Sequence, residues 1–217
     1  MNEYTLVIGN KAYSSWSLRP WLLMKHAGIA FGETRISLYQ IDAKENLLRH
    51  SGAGKVPVLQ HGDLTIWDSL AICEYLAEKH PDKQLWPMKA SVRAQARSVS
   101  AEMHSGFASL RNHMPMNVRR KIPNRAATPE ASVDIARIQT IWEDCRSRHA
   151  KAGAFLFGDF SIADAMYAPV VSRFHTYEVP LSAATAAYSQ TILALPAFRQ
   201  WVAEANAETE VAPQYEG

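Results

Sequence analysis

The chain has little cysteine, little net charge and no long apolar run, and each shortage excludes a class of protein. Its two cysteines, Cys73 and Cys145, lie too far apart for a CxxC redox or zinc motif. A net charge of +2 is too small for the concentrated basic face that nucleic acid binding requires. No apolar run approaches the length of a membrane span, and the first residues show no signal-peptide pattern. These shortages predict a cytoplasmic globular protein with no metal site, no nucleic acid partner and no membrane partner.

One basic stretch, Arg119-Arg120-Lys121, departs from this even charge distribution. It lies among proline and asparagine residues, and no aromatic side chains are interleaved with its cations. Surfaces that bind single-stranded nucleic acid combine cations with aromatic stacking platforms, so the stretch is more typical of a solvated loop.

The first part of the chain alternates strands and helices. Tyr4–Ile8 is a β-branched apolar run that predicts a buried strand, and a second strand is expected over residues 33–38. A helix lies between them and a weak helix follows. Two short strands then flank His61-Gly62-Asp63, which is a hairpin signal, and a strong helix begins at Asp68. The order strand, helix, strand, weak helix, hairpin, helix predicts an α/β sandwich.

Three serines, Ser14, Ser15 and Ser17, lie where the first strand gives way to the first helix. Backbone N–H groups at a helix start have no intrahelical partner, and together with hydroxyls they can hold an anion. Proline fits best in the first turn of a helix, so Pro20 predicts a cap at or near Ser17. Ser14 and Ser15 would then face whatever occupies the positive end of the helix. Simple capping by these serines is the competing interpretation.

The rest of the chain is predicted to be helical. Apolar residues recur at helical spacing, which predicts helices over residues 91–112, 129–150, 161–178, 182–194 and 196–207. Ser161 and Asp164 have the spacing of a capping box with Asp in place of Glu, so we expect a structural role for Asp164. Two prolines, Pro81 and Pro87, indicate a linker between the two parts of the chain. The predicted organisation is a first domain over residues 1–80, a linker over 81–90 and a helical domain over 91–217.

Four motifs resemble those of the cytosolic glutathione S-transferases, and together they span essentially the whole chain. They are the serine stretch at 14–19, Lys55-Val56-Pro57-Val58-Leu59, the helix start at 68–76, and the segment 157–165. The serine stretch is most similar to the zeta class, which has a cysteine where this chain has Trp16. This departure bears on the maleylacetoacetate isomerase activity of that class, but not on the fold or the cosubstrate.

The resemblance implies a thioredoxin-like N-terminal domain, an all-α helical-bundle C-terminal domain and a homodimer. It also implies that glutathione binds the first domain, where Pro57 would follow a cis peptide bond. The Val56 backbone would pair with the cysteinyl backbone of glutathione. Asp68 and Ser69 would receive the γ-glutamyl group, and Lys55 would reach the glycyl carboxylate.

The same resemblance places the sulfur of glutathione beside the serines. Ser14 would donate a hydrogen bond to it, with Ser15 as the nearest substitute. A free thiol with a pKa of about 8.5 is only a few per cent thiolate at pH 7. Lowering that pKa by about two units takes about 2.7 kcal/mol and makes thiolate the major form. One hydroxyl and the helix end can supply this amount.

The acceptor pocket of this family lies between the domains. The positions that match it are Tyr13, Trp16, Met103, His104, Phe107 and Arg111. Met103, Phe107 and Arg111 would share a helical face, for which packing between domains is an equal alternative. The resemblance therefore implies an enzyme of detoxification that conjugates the glutathione thiolate to small hydrophobic electrophiles. A glutathione-dependent isomerase or peroxidase, and a catalytically silent binding protein, are the alternatives.

Overall fold

The structure, a computed structural model, describes residues 3–123 and 125–216. Its sheet contains β1 (Tyr4–Ile8), β2 (Phe31–Arg35), β3 (Val58–His61) and β4 (Leu64–Ile66) in the order β2-β1-β3-β4. β1 is parallel to β2 and antiparallel to β3, and β4 is antiparallel to β3. Three helices complete this part: α1 (Ser15–Ala27), α2 (Ala43–His50) and α3 (Ser69–Lys79). The thioredoxin-like arrangement is the one that the sequence predicted.

The second part of the chain is helical. Its helices are α4 (Ala90–Ser105), α5 (Ala108–His113), α6 (Pro129–His149), α7 (Ile162–Thr176), α8 (Ala183–Ala194) and α9 (Pro196–Ala207). In the described part of the chain, no helix combines the length and the apolar content that crossing a membrane requires. The predicted class, an α/β domain followed by an all-α domain, is confirmed, whereas the bounds assigned to the two domains and the linker stay a prediction.

The core passes without interruption from the sheet into the helical bundle. Helix α7 is buried along nearly its whole length and packs against α1, α4 and α8. The capping box predicted at its start is present: the Asp164 carboxylate accepts from the Ser161 N–H at 2.9 Å, and the Ser161 side chain accepts from the backbone N–H of Asp164. Asp164 also accepts from the Leu156 N–H at 3.0 Å. Its role in fixing the start of a buried helix is therefore structural, as expected.

The start of α1 differs from the prediction. The cap is Ser14, not Ser17, so Ser15 is the first helical residue and Pro20 lies inside the helix. An internal proline removes a helical hydrogen bond and usually costs about 3 kcal/mol. Here the helix is buried almost throughout its first ten residues, and this packing outweighs the local preference that the prediction used.

Two other boundaries also differ. β2 spans Phe31–Arg35 and not residues 33–38, because it pairs along the whole of β1, from Tyr4 opposite Phe31 to Ile8 opposite Arg35. The single helix predicted over residues 91–112 is two helices, α4 and α5. The break lies at Gly106, where a Cβ atom would approach the Glu102 carbonyl oxygen to 2.8 Å, and at Phe107, which adopts the left-handed conformation at φ 58°.

Candidate active site

Two adjoining cavities lie between the sheet domain and the helical bundle. The first, which we name the serine cavity, has a volume of about 500 Å³ and is lined by Ser14 and Ser15 on one side and by arginines of the bundle on the other. The second, the aspartate cavity, has a volume of about 470 Å³ and is lined by Asp68 and Ser69. Three side chains line both: Trp16, Lys55 and Val56. The structure thus brings the predicted glutathione-binding residues to one continuous cleft.

The serine cluster is buried but its hydroxyls do not cap the helix. Ser14 is the N-cap residue, yet no side-chain hydrogen bond to the helix backbone is formed there. Its Oγ donates instead to Ser17 Oγ at 2.8 Å, and Ser17 Oγ also accepts from the Gly9 N–H at 3.1 Å. The interpretation of Ser14 as a simple capping group is therefore wrong. Ser14 and Ser15 line the cavity at the positive end of α1.

Arg173, on α7, is a site residue that the sequence prediction missed. Its guanidinium is buried and its Nη2 lies 3.4 Å from Ser15 Oγ, while its Nε donates to the Met114 carbonyl at 2.9 Å. Burial, reinforced by the charge of Arg111, lowers the pKa of Arg173 to about 10, which leaves it charged at neutral pH. The sequence signal that could have identified Arg173 is the presence of an arginine in an otherwise mostly apolar helix.

The aspartate cavity combines a helix start with a contact to the bundle. Asp68 Oδ1 caps α3 by accepting from the Leu70 and Ala71 N–H groups at 3.1 and 3.3 Å. Its other oxygen, Oδ2, lies 2.8 Å from Nε2 of His104 on α4. Asp68 caps the helix as predicted, and its second carboxylate oxygen, Oδ2, is directed away from the helix.

The loop before β3 presents free backbone groups to both cavities. The Val56–Pro57 bond is cis, as the resemblance implied, and so is the Trp67–Asp68 bond. The N–H and C=O of Val56 make no hydrogen bond to any other described residue. An unpaired N–H and C=O on one residue suit an extended peptide ligand, which can satisfy both.

The six predicted acceptor residues separate into three groups. Tyr13, Trp16 and Arg111 line the serine cavity, and His104 lines the aspartate cavity. The remaining two, Met103 and Phe107, belong to the apolar core and line neither cavity. The helical face that they were predicted to share with Arg111 is wrong, because α4 ends at Ser105 and the helical spacing does not continue to Arg111. Their assignment to the acceptor pocket stays a prediction.

The C-terminal segment, residues 208–216, also forms part of the site and was missed. The Tyr13 hydroxyl donates to Glu216 Oε1 at 2.5 Å and accepts from the Ala212 N–H at 3.1 Å. The ring of Tyr215, which lines the serine cavity, packs 5.5 Å from Tyr13 and 5.9 Å from Tyr39. Burial and the Glu216 carboxylate raise the pKa of Tyr13. Its hydroxyl is therefore occupied by the segment and is not directed at the serines.

Charged residues hold this segment in place. Arg119 donates to the backbone carbonyls of Glu208 and Glu210, each at 3.0 Å, and Arg120 forms an ion pair with Glu216 at 2.7 Å. The prediction of a solvated loop at 119–121 is thus wrong for Arg119. Arg119 binds carbonyl groups of Glu208 and Glu210, which are distant in the chain, and no local sequence pattern predicts such a contact.

The family follows from the sequence as a whole. Residues 13–79 match the profile described as "Glutathione S-transferase, N-terminal domain", and residues 100–204 match "Glutathione S-transferase, C-terminal domain". The maleylacetoacetate isomerase of Rattus norvegicus is 30% identical over 85% of this chain and 85% of its own. The chain belongs to the glutathione S-transferase family.

Further similarities agree with this membership. Glutathione S-transferase 1 of Dianthus caryophyllus is 30% identical over 72% of this chain and 71% of its own. A glutathione transferase homolog from Burkholderia gl BGR1, solved with bound glutathione, matches with a TM-score of 0.73 at 24% identity, over 94% of this chain and 99% of that one. This structural likeness supports the fold. The resemblance inferred from the four sequence motifs, including its zeta-class character, is confirmed.

Proposed function

We propose that the chain is a glutathione transferase that binds glutathione across both cavities and adds its thiolate to a small electrophile in the serine cavity. The observation that carries this proposal is the placement of Ser14 and Ser15. Their hydroxyls do not cap the helix, and they face a cavity at the positive end of α1. The unpaired backbone of Val56 and the helix start at Asp68 and Ser69 lie in the same cleft, and both suit a peptide with charged ends.

The chemistry that these groups supply is stabilisation of a thiolate. In this proposal Ser14 exchanges its bond to Ser17 for one to the sulfur, with Ser15 beside it. Arg173 adds a buried positive charge next to Ser15. A hydrogen bond to a charged acceptor contributes about 1.5–3 kcal/mol, which lowers a thiol pKa by about one to two units.

The residues that line the serine cavity indicate which kind of electrophile it would bind. Two arginines, Arg111 and Arg173, line it together with Lys55, and no Asp or Glu is among its described lining residues. If Lys55 takes the glycyl carboxylate of glutathione and the charge of Arg173 acts on the thiolate, Arg111 remains as the charged partner of the acceptor. We therefore propose an electrophile that carries a carboxylate, in place of the wholly hydrophobic one predicted from the sequence.

A carboxylate acceptor also favours a second candidate, glutathione-dependent cis–trans isomerisation. Relatives of this chain are named maleylacetoacetate isomerases, and the substrate in that name is an unsaturated acid. Conjugation consumes glutathione, whereas isomerisation returns it. Measuring glutathione consumption during turnover of maleylacetoacetate separates the two reactions.

Membership of the family supports three further proposals: a homodimer, a cytoplasmic location and a role in detoxification. None of them rests on a contact in the structure. Sedimentation equilibrium of the purified chain tests the first, and a monomer at micromolar concentration would contradict it.

The function is tested by calorimetric titration with glutathione, followed by turnover of two aryl halides, chlorodinitrobenzene and its carboxylate-bearing counterpart chloronitrobenzoate. Arg111→Met should lower kcat/KM for chloronitrobenzoate about tenfold relative to chlorodinitrobenzene, because one charged partner of the carboxylate is lost. The matched control is Arg199→Met, since Arg199 is exposed and lies outside both cavities. Failure of the parent to bind glutathione would overturn the proposal.

A further inference from the structure

Arg19 is a buried cation whose hydrogen bonds are largely unmade. It lies on α1 and has no exposed surface. Its Nη1 lies 3.5 Å from Ser69 Oγ, whereas its Nε and Nη2 find no partner among the described residues. The indole of Trp16 covers the guanidinium, whose central carbon lies 4.1 Å from the ring centroid.

Within residues 3–123 and 125–216, no carboxylate forms a hydrogen bond or ion pair with this cation. Asp68 is the acid whose charge acts on Arg19, but its Oδ1 caps α3 and its Oδ2 faces His104. The other charges that act on it, Arg111 and Arg173, repel it. Burial and these two arginines lower the pKa of Arg19 to about 9, so it remains charged at neutral pH. Buried charges in proteins are normally paired, because an unpaired one forfeits its hydration without compensation.

The neighbouring hydroxyl is covered as well. Ser69 forms part of the wall of the aspartate cavity, yet the residue has no exposed surface. Trp16 is one of the three residues that line both cavities, and its ring packs edge-on against His104 at 5.3 Å. Trp16 therefore contacts the guanidinium of Arg19 and lines the same cavity as Ser69, so its position bears on access to both groups.

We propose that Arg19 is the counter-ion for the α-carboxylate of the γ-glutamyl group of glutathione, and that Trp16 covers this site until the carboxylate displaces it. The inference rests on the proposed function and specifies which part of glutathione is recognised. The two free nitrogens of the guanidinium, Nε and Nη2, and the Ser69 hydroxyl together offer three donor atoms to one carboxylate. Glutathione should therefore be selected by its α-carboxylate, and Trp16 should report its arrival.

The test compares glutathione with γ-aminobutyryl-cysteinyl-glycine, which differs only by lacking the α-carboxylate. Calorimetry should show that the parent binds glutathione at least about tenfold more tightly than the analogue. Arg19→Gln should bind both with similar affinity. Retention of the full preference by Arg19→Gln would overturn the proposal. Equal binding of both ligands by the parent would overturn the role of Arg19 but leave the glutathione site intact, whereas binding of neither would overturn the proposed function.

Thermal unfolding distinguishes a binding role from a structural one. Without ligand, Arg19→Gln should melt at the same or a higher temperature than the parent, because an uncompensated buried charge has been removed. With saturating glutathione the order should reverse. A clearly lower melting temperature of the free variant would instead assign Arg19 to holding Trp16 in place and would refute the proposal. If Arg19→Gln does not fold, the same conclusion applies.

Tryptophan fluorescence tests the movement of the cover. The chain has six tryptophans, of which Trp16 is the one shared by the two cavities. Glutathione should change the emission of the parent, and Trp16→Phe should abolish most of that change while still binding. The analogue without the carboxylate should leave emission of the parent unchanged. An unchanged indole signal on glutathione binding would refute displacement of Trp16.

Discussion

Replacing Ser14 by Ala should raise the pKa of the bound glutathione thiol without removing glutathione from the site. The hydroxyl lost is one that already makes a 2.8 Å hydrogen bond, to Ser17, and is positioned at the helix start. A bond from such a hydroxyl to a thiolate contributes about 1.5–3 kcal/mol, which corresponds to about one to two pKa units. Backbone N–H groups at the start of α1 and the charge of Arg173 remain in the variant, so part of the thiolate stabilisation should persist.

The assay is the pH dependence of kcat/KM with chlorodinitrobenzene. Below the parent's thiol pKa, Ser14→Ala should be about ten to a hundred times slower, because the thiolate fraction falls by that factor. The difference should vanish above a pH of about 8.5, where the thiol ionises without help. The ultraviolet absorbance of the thiolate, titrated in the binary complex, should shift by the same number of pH units.

Ser15→Ala is the comparison variant, since Ser15 lies in the same cavity and accepts from Arg173. If the pH dependence of kcat/KM shifts in Ser15→Ala but not in Ser14→Ala, the hydroxyl that donates to the glutathione sulfur is that of Ser15. Unshifted profiles in both variants would refute the hydroxyl as the source of thiolate stabilisation. A loss of activity that is equal at every pH would refute it too, because it would point to geometry rather than to the thiol pKa.

Two further predictions concern stability. Asp164→Ala should lower the free energy of unfolding by about 2–4 kcal/mol, because the capping box is lost and the buried N–H groups of Leu156 and Ser161 lose their acceptor. Urea denaturation measures this change. The control is Asp159→Ala, which should change the free energy of unfolding little because Asp159 is exposed. Glu210→Gln should cost about 1 kcal/mol at pH 7, because hydrogen bonds from Ser37 and Arg35 lower the Glu210 pKa from 4.5 to about 2. That contribution is present above pH 4.5 and is lost as the pH falls towards 2, so the melting temperatures of parent and variant should converge over this range; a constant difference would contradict the ion pair.

Local patterns were sufficient for most of the architecture. The capping signals at Asp68 and Ser161 identified the starts of α3 and α7, and the β-branched run at Tyr4–Ile8 gave the central strand at its observed bounds. These features depend on residues a few positions apart, which a sequence displays directly. The break at Gly106 was not visible in the same way, because apolar spacing continued through it and a single glycine is often tolerated in a helix.

The parts of the site that escaped prediction depend on distant contacts. Arg173 and Ser15 are 158 positions apart, and Tyr13 and Glu216 are 203 positions apart. Neither pairing leaves a periodic trace in the sequence. The position of the cap at Ser14 was missed for a related reason: burial of α1 in the assembled core decides it, and Pro20 alone pointed elsewhere.

The docked segment 208–216 has a consequence for how the cleft comes into being. Tyr13 and its contacts at Ala212 and Glu216 enclose nearly the whole chain between them, so their meeting closes one very long loop. Because closing so long a loop costs entropy, we expect these contacts to form after the intervening helices have assembled and to open early under mild denaturant. Catalytic competence should therefore be the last property that the refolding chain acquires and the first that it loses, while the secondary structure on either side is still intact.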